Sequence, residues 1–470
     1  MEVPTTIARR DWLKTAALGT TAALLARTAA AAEPMATAGK KVRGVVFMVS
    51  DGMSPGVISL AEAYSQLTRK RGTQWWSLYN NRSATRGLMD NASANSLVPD
   101  SAAASSAWGG GQRVNNNAIN YTPAGKEVTP IAAILKKKGT LIGLVSTATI
   151  THATPAGFAA AVPHRNDEDG IATQYLDRVD IILGGGSSHF SAADRKDQRN
   201  LFSEFSSAKY GIAASRDTLL ASRDEKLLGT FTLKHLPFSI DRDHDPKLAA
   251  QVPTLTEMAE AAFTRFLSSD KPFLLQIEGA RIDHAAHLND IGGLLGDQLA
   301  FDDAVARMMV LIGKREDILL VVTSDHGNAN PGLNGIGESY EKSNECFAKI
   351  GRFKASHERM LTEWNTIKGT EASQVTTIIK DQLGITLHDK EASAILEVIA
   401  NYPVIKWHEK MQKAGGLLGQ FLGNHTGIGW TGTAHTSDPT LISALGPQSD
   451  RFAGIVKNTE VFEHLVEMLG

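Results

Sequence analysis

Acidic and histidine side chains in the second half of the chain have a spacing that suits metal ligands. Asp283 and His287 are four residues apart, so a helix would carry both on one face, where they can bind the same ion. Such a pair alone is more often a surface or capping pair. Glu278, however, ends an apolar run just before it, and Asp325 with His326 follows another. The sequence therefore predicts a metal site.

The chemistry of the ligands indicates which ions the site holds. Carboxylates and imidazoles are costly to bury without partners, and divalent cations neutralise them. The histidine-bearing group, which includes His435 in a turn rich in threonine and serine, suits zinc. Asp51, Thr154 and Glu278 offer only oxygen ligands, which suit magnesium with water completing its octahedron.

Ser101 is the candidate nucleophile. It follows Asp100 at the beginning of an alanine-rich segment that favours a helix. Backbone N–H groups and the dipole at the start of a helix stabilise a phosphate anion and a developing alkoxide. The segment alone fits a second interpretation better, in which Asp100 or Ser101 only caps the helix. The predicted metal ligands are what favour a nucleophile.

Five short apolar runs must position these residues. They are rich in valine, isoleucine and leucine, and amphipathic segments separate them, as in a parallel α/β sheet. The runs are residues 45–49, 141–145, 179–183, 273–277 and 318–323. Functional groups of such sheets lie beyond the carboxyl ends of the strands, and acids, histidines or hydroxyls follow four of the five runs. We predict an α/β fold with a large, mostly parallel central sheet and helices on both faces.

One segment differs in texture from the rest of the chain. Residues from about 338 to 411 are charged and predict three helices, near 341–367, 371–383 and 390–400. We interpret this segment as a helical insertion or lid within one domain that spans residues 33–470, because no linker divides the chain.

The first residues predict where the protein works. Arg9 and Arg10 precede an apolar stretch and small residues up to Ala32, which is the order of a twin-arginine export signal. We therefore predict a signal peptide at residues 1–32 and a periplasmic or secreted protein. The apolar stretch is about half the ~20 residues that cross a bilayer, so no transmembrane segment is expected.

Charge and cysteine content exclude some classes. The formal net charge is -2, and removal of the signal peptide would make it about -4. This balance argues against a nucleic-acid-binding surface. Cys346 is the single cysteine, so an intramolecular disulfide cannot form, and stability must come from the core and bound metal.

Several short blocks resemble the motifs of the alkaline phosphatase family, in the family's order and along the whole predicted mature chain. The blocks are residues 47–53, 98–108 around Ser101, 152–156, Arg165, 278–287, 325–327 and 435–437. The resemblance implies an alkaline phosphatase, which hydrolyses phosphate monoesters to an alcohol and inorganic phosphate through a phosphoserine at Ser101. It also implies two zinc ions and one magnesium ion.

The resemblance assigns a role to each site residue. Arg165 would bind the phosphoryl oxygens, and Asp100 would orient Arg165. The metal ligands would be Asp283, His287 and His435 for one zinc, Asp51, Asp325 and His326 with Ser101 for the second, and Asp51, Thr154 and Glu278 for magnesium.

Two residues depart from the best-known bacterial members. His152 stands where those members have aspartate, and His284 where they have lysine, although other members carry histidine at both positions. Either change could alter magnesium affinity and phosphate release. We expect both side chains beside the metal ligands. Dimers are common in the family, which makes a homodimer possible.

Two other classes fit parts of the pattern. A phosphodiesterase of the same superfamily usually has a threonine nucleophile and lacks the arginine, and a sulfatase needs a modified cysteine or serine in its own motif. Ser101 with Arg165 therefore favours monoesters. A non-catalytic periplasmic metal or phosphate binder would show a broken nucleophile or a lost ligand, and the sequence shows neither.

Overall fold

A computed structural model of the chain describes residues 41–401 and 414–470. The predicted signal peptide and the last part of the predicted insertion, residues 402–411, lie outside the described residues. Within the described residues, no helix is both long and apolar enough to span a bilayer.

The strands are β1 (Gly44–Ser50), β2 (Ala84–Asp90), β3 (Leu141–Thr149), β4 (Ile181–Gly185), β5 (Tyr210–Ala213), β6 (Lys226–Thr230), β7 (Phe273–Gly279), β8 (Ile318–Thr323), β9 (Gly327–Asn328), β10 (Gly332–Leu333), β11 (Ile428–Gly429), β12 (His435–Thr436), β13 (Thr440–Leu445) and β14 (Gly454–Lys457).

The helices are α1 (Pro55–Arg69), α2 (Gln74–Asn80), α3 (Ser101–Gly110), α4 (Ile131–Lys136), α5 (Ala153–Ala159), α6 (Glu168–Tyr175), α7 (Leu201–Ser207), α8 (Arg216–Ala221), α9 (Ser239–Asp243), α10 (Pro246–Gln251), α11 (Leu255–Leu267), α12 (Arg281–His287), α13 (Ile291–Ile312), α14 (Ser343–Ala348), α15 (His357–Ile367), α16 (Ala372–Leu383), α17 (Asp389–Asn401), α18 (Ala414–Thr426) and α19 (Asn458–Leu469).

One large sheet organises the fold. In the part of the chain that the structure describes, ten strands pair in the order β14-β2-β13-β8-β1-β7-β3-β4-β6-β5. Strand β13 runs antiparallel to both of its neighbours, whereas the other pairs are parallel. Two short antiparallel pairs, β10 with β11 and β12 with β9, lie outside this sheet. The predicted mostly parallel α/β sheet is confirmed.

Helices cover both faces of the sheet. Along β1, Val46 and Met48 belong to one hydrophobic cluster, and Phe47 and Val49 belong to another. Because successive side chains of a strand point to opposite faces, the two clusters lie on opposite sides of the sheet. Helices α1, α11 and α13 contribute to the first cluster, and α3, α5 and α19 to the second. Burial on both faces explains why the central strands are continuously apolar.

The helical segment after β10 differs from the prediction in one respect. The helix expected over residues 341–367 is two helices, α14 and α15, separated by a 3-10 turn at Lys349–Arg352. The backbone leaves the helix at Phe353, and the Ser356 side chain accepts a hydrogen bond from Arg359 N to begin α15. Helices α16 and α17 lie close to the predicted ranges.

Candidate metal centre and nucleophile

Three adjacent strands deliver carboxylates to one edge of the sheet. Strand β1 lies between β7 and β8, with Val49 opposite both Glu278 and Thr323. Asp51 follows β1, Glu278 is the penultimate residue of β7, and Asp325 lies just past β8. All three are fully buried. The parallel arrangement therefore brings together acids that are far apart in the sequence.

Gly52 allows the end of β1 to approach helix α12. Its φ is +68°, a conformation that favours glycine, and a Cβ there would lie 2.5 Å from Asp283 Oδ1. The Gly52 N–H donates to Asp325 Oδ1 at 2.9 Å. A side chain at position 52 would push Asp283 away from the Asp325 carboxylate that the Gly52 N–H binds.

Helix α12 and strand β12 add a second group of ligands. Asp283 Oδ2 and His287 Nε2 are 3.3 Å apart across one turn of α12. Strand β12 pairs with β9, so that His435 lies opposite Asn328. His435 Nε2 is then 3.0 Å from His287 Nε2 and 3.6 Å from Asp283 Oδ1.

Backbone carbonyls fix the orientation of these imidazoles. His287 Nδ1 is 2.8 Å from the Thr433 carbonyl oxygen, and His435 Nδ1 is 2.8 Å from that of Pro99. Because a carbonyl only accepts, each Nδ1 carries a proton, which leaves Nε2 as the atom of each ring that can bind a metal. Burial lowers the pKa of His435 to about 4, which keeps its ring neutral. Despite burial, the Asp283 carboxylate raises the pKa of His287, and a cation between the two Nε2 atoms would take the place of the proton there.

The third histidine faces the candidate nucleophile. His326 Nδ1 is 3.3 Å from the Gly327 carbonyl oxygen. Its Nε2 lies 3.2 Å from Ser101 Oγ, 3.1 Å from Asp325 Oδ2 and 3.5 Å from Asp51 Oδ1. The serine hydroxyl is thus at the edge of the carboxylate cluster.

Several buried oxygens at this edge lack a hydrogen-bond partner among the described residues. They are Asp51 Oδ1 and Oδ2, Thr154 Oγ1, Glu278 Oε1 and Asp325 Oδ2. Burial, reinforced by the charge of Asp325, raises the pKa of Asp51 well above its usual value. Burial also raises the pKa of Glu278 to about 7, although Ser146 Oγ donates to its other oxygen. Unpartnered buried carboxylates of this kind fit a bound cation.

The geometry defines three candidate ligand groups within the described residues. In each group, the ligand atoms lie within 4.8 Å of one another. The groups are Asp283, His326 and His435; Asp51, Asp325 and His326; and Asp51, His152 and Glu278. The second group consists of the three protein ligands expected for one zinc. The first group has His326 where the prediction has His287, and the third group has His152 where the prediction has Thr154.

Asp100, not Ser101, caps helix α3. The Asp100 side chain accepts a hydrogen bond from Ala103 N, and Ser101 is the first residue of the helix. Of the two residues that could cap this helix, Asp100 does so, and the Ser101 hydroxyl is left free of that role. The Ser101 hydroxyl does not cap the helix and contacts His326.

Close packing of α3 on α5 brings Thr154 to the same site. A Cβ on Gly109 would lie 2.0 Å from the Gly157 carbonyl oxygen, so the two backbones touch where both residues are glycine. Every residue of α3 is buried. Ser106 Oγ accepts from Asn120 N at 2.8 Å.

Arg165 lies beside this group. Its Nη1 donates to Asp100 Oδ2 at 3.1 Å, as expected for an arginine oriented by that carboxylate, and its Nη2 donates to His152 Nε2 at 2.9 Å. His152 and His284 lie next to each other, with ring centroids 5.7 Å apart. In the sequence, His152 lies two residues before Thr154, and His284 directly follows Asp283. Burial lowers the pKa of each imidazole well below its usual value.

Sequence reasoning missed residues that hold the ligands in place. Asn328 Nδ2 donates to Asp283 Oδ1 at 2.7 Å, and Asn91 Nδ2 donates to the Asp325 carbonyl oxygen at 3.0 Å. Arg281 donates to His284 Nδ1, and the His235 ring packs against His284 at a tilt. Arg281 lies two residues before Asp283 of the predicted metal-binding pair, which is the one local feature that could have drawn attention to it.

A mostly parallel α/β sheet with buried carboxylates and imidazoles at one edge, beside a serine at the start of a helix, is the arrangement of a metal-dependent hydrolase. Residues 42–470 match the family model described as Alkaline phosphatase. The chain belongs to the alkaline phosphatase family and is a phosphomonoesterase hydrolase.

Individual relatives agree with this assignment. Alkaline phosphatase 3 of Bacillus subtilis (strain 168) is 29% identical over 445 residues, which cover 91% of this chain and 89% of the relative. The crystal structure of Thermus thermophilus alkaline phosphatase matches with a TM-score of 0.85 and 33% identity over 92% of each chain. The cold-active enzyme from Shewanella sp. matches with a TM-score of 0.75 and 27% identity, covering 91% of this chain and 100% of that chain.

Proposed function

We propose that this enzyme hydrolyses phosphate monoesters to an alcohol and inorganic phosphate through a phosphoserine at Ser101, with two zinc ions and one magnesium ion bound beside it. The observation that carries the proposal is the position of the Ser101 hydroxyl. It takes no part in capping α3 and lies 3.2 Å from His326 Nε2, next to buried carboxylates that lack partners among the described residues.

The ligand types support this set of ions. One zinc would be held by Asp283, His287 and His435, a second by Asp51, Asp325 and His326 with Ser101, and magnesium by Asp51, Thr154 and Glu278. The carbonyl-fixed imidazoles suit zinc, and the oxygen-only group suits magnesium. When bound, the zinc ions supply Lewis-acid stabilisation of the alkoxide and phosphoryl oxygens.

The chain's own residues carry out the substitution at phosphorus. Ser101 Oγ loses its proton to solvent and bonds to phosphorus as the bond between phosphorus and the ester oxygen breaks, and the departing alcohol takes up a proton from solvent. Water then bonds to phosphorus as the bond between phosphorus and Ser101 Oγ breaks, which releases inorganic phosphate, and Ser101 Oγ takes back a proton. The helix start at Ser101 favours both the alkoxide and the phosphoryl anion.

Arg165 would bind two phosphoryl oxygens through its planar fork. In the structure, its Nη1 donates a hydrogen bond to Asp100 and its Nη2 donates one to His152, and the Asp100 contact would keep the guanidinium oriented. Recognition that centres on the phosphoryl group makes little use of the leaving group. We therefore propose broad specificity for phosphate monoesters.

Turnover of p-nitrophenyl phosphate tests the proposal. Ser101→Ala should reduce kcat by at least about a thousandfold, because the nucleophile is lost. Chelation should abolish turnover, and zinc with magnesium should restore it. Ser105→Ala is the matched control: it removes a hydroxyl from the same helix that is bonded to the Ala153 carbonyl oxygen, and it should stay within a few-fold of wild type.

Two results would contradict the proposal. One is wild-type turnover by Ser101→Ala or by the chelated enzyme. The other is faster hydrolysis of bis-p-nitrophenyl phosphate than of the monoester, which would favour the phosphodiesterase alternative.

The organisation of the chain gives three further proposals. Residues 1–32 direct export by the twin-arginine pathway to the periplasm or the medium, which cell fractionation tests. The segment 338–411 is a helical insertion in the domain 33–470. The enzyme forms a homodimer, so light scattering should give the mass of two chains.

A further inference from the structure

Three histidine rings form a cluster next to Arg165. The ring centroids of His235 and His284 are 4.6 Å apart, and His152 lies 5.8 Å from the first and 5.7 Å from the second. Each belongs to a different part of the chain. The cluster directly adjoins the candidate metal centre, because His284 follows Asp283 on α12.

One nitrogen of each ring is bonded to a group that can only donate. Arg165 Nη2 is 2.9 Å from His152 Nε2, Arg281 Nη1 is 2.7 Å from His284 Nδ1, and Thr149 N is 3.0 Å from His235 Nδ1. Guanidinium and backbone N–H groups have no acceptor atom, so these ring nitrogens must accept. His284 therefore carries its proton on Nε2.

Arg281 itself is held rigidly. Its side chain is only 3% exposed, and its Nη2 donates to Glu358 Oε2 at 2.9 Å. The guanidinium lies over the Phe238 ring, 3.8 Å from the centroid. The ion pair with Glu358 and the Phe238 ring against its face hold the guanidinium with Nη1 directed at His284.

We propose that Arg281 is a positioning residue that fixes His284 as an Nε2–H donor to an oxygen of the bound phosphoryl group. The inference rests on the proposed function. His284 Nε2 has no hydrogen bond to another described residue, so it remains available to a ligand. If the ring presented a lone pair there, it would repel an anionic phosphoryl oxygen, whereas the N–H attracts it.

Calorimetric titration of the metal-loaded enzyme with inorganic phosphate tests the proposal. Arg281→Met removes the donor and frees the His284 ring, so the Kd for phosphate should rise about fivefold, and the KM for p-nitrophenyl phosphate should rise more than kcat falls. Arg43→Met is the matched control, because Arg43 also pairs with a carboxylate and stacks on a phenylalanine, but at the start of β1. It should leave the Kd unchanged.

A double-mutant cycle shows whether Arg281 acts through His284. In a His284→Ala background, Arg281→Met should change the Kd no further. His284→Gln should bind phosphate more tightly than His284→Ala, because the glutamine amide can reach the position of Nε2–H. Zinc content and the unfolding midpoint of each variant identify any loss of fold.

An unchanged Kd in Arg281→Met would overturn the proposal, as would an undiminished effect in the His284→Ala background. Calorimetry also separates this inference from the proposed function. A wild-type enzyme that binds phosphate but does not hydrolyse p-nitrophenyl phosphate would refute the function alone.

Discussion

The serines of helix α3 have different partners, and this difference supports Ser101 as the proposed nucleophile. Ser105 Oγ donates to the Ala153 carbonyl oxygen and Ser106 Oγ to that of Ala102. Ser101 Oγ instead contacts the His326 imidazole, because Asp100 performs the capping. The hydroxyls of Ser105 and Ser106 are bonded to backbone carbonyls and stabilise the packing of the helix. The Ser101 hydroxyl faces a proposed metal ligand and is available to react.

Arg165→Lys tests the use of a planar fork. Lysine keeps the charge but has no planar fork, so it cannot bind two phosphoryl oxygens in a bidentate manner. It also cannot contact Asp100 while it binds the phosphoryl group, as Arg165 would. Loss of a hydrogen bond to a charged group is expected to lower kcat/KM about 10- to 100-fold. Steady-state kinetics with p-nitrophenyl phosphate measures the effect.

Arg113→Lys is a suitable control, because Arg113 pairs with the half-exposed Asp90. It should leave kcat/KM unchanged. Equal values for Arg165→Lys and the wild type would show that Arg165 does not bind the phosphoryl group in the way proposed.

Among the elements, the central strands were predictable from the sequence. The five apolar runs correspond to β8, β1, β7, β3 and β4, which are neighbours in the sheet in that order. These strands are buried on both faces, so their sequences are continuously apolar. The same property identified the edge at which the functional residues gather.

The outer strands were not predictable in the same way. Strand β2 alternates between buried and exposed positions and contains arginine, glycine and aspartate, and β5 has four residues. Such short or half-exposed strands have no sustained apolar run. Strand β2 pairs with β13, which is distant in the sequence, and β5 pairs with β6, which has only a weak apolar pattern.

A buried aspartate caps helix α2 from another element, and this gives a pH-dependent prediction. Asp302 accepts hydrogen bonds from Gln74 N and Trp75 N. Burial raises the pKa of Asp302 from 3.8 to about 6. Between these two values, the folded protein keeps a proton that the unfolded chain releases, so ionisation of Asp302 reduces stability as the pH rises.

Asp302→Asn removes this ionisation. The free energy of unfolding of the wild type, relative to Asp302→Asn, should fall by about 3 kcal/mol as the pH rises from 4 to 7. Denaturant titrations of both proteins in chelator measure the difference without metal binding. A difference that stays constant, or rises with pH, would show that the pKa of Asp302 is not raised in the folded protein.

At the scale of the whole molecule, the site depends on contacts between distant segments. Its predicted residues extend from Asp51 to His435, and the carboxyl edge of the sheet brings most of them together. Local spacing predicted the candidate ligands, because acids, histidines and hydroxyls together follow four of the five apolar runs. It could not identify Arg281 or Asn328, since their partners Glu358 and Asp283 are 77 and 45 residues away.

The fold therefore concentrates four buried carboxylates at one edge of the sheet, namely Asp51, Glu278, Asp283 and Asp325. Arg165 is close to this group, but it already pairs with Asp100. Despite burial, Asp283 and Asp325 raise the pKa values of His287 and His326, and bound cations would supply the compensating charge in place of those protons. The presence of these cations is the central proposal.

Elemental analysis of the purified enzyme by mass spectrometry tests that claim most directly. The account predicts two zinc ions and one magnesium ion per chain, with zinc reduced in His287→Ala and magnesium reduced in Glu278→Gln. A fully active wild-type enzyme without bound metal, or variants that keep the wild-type metal content, would contradict it.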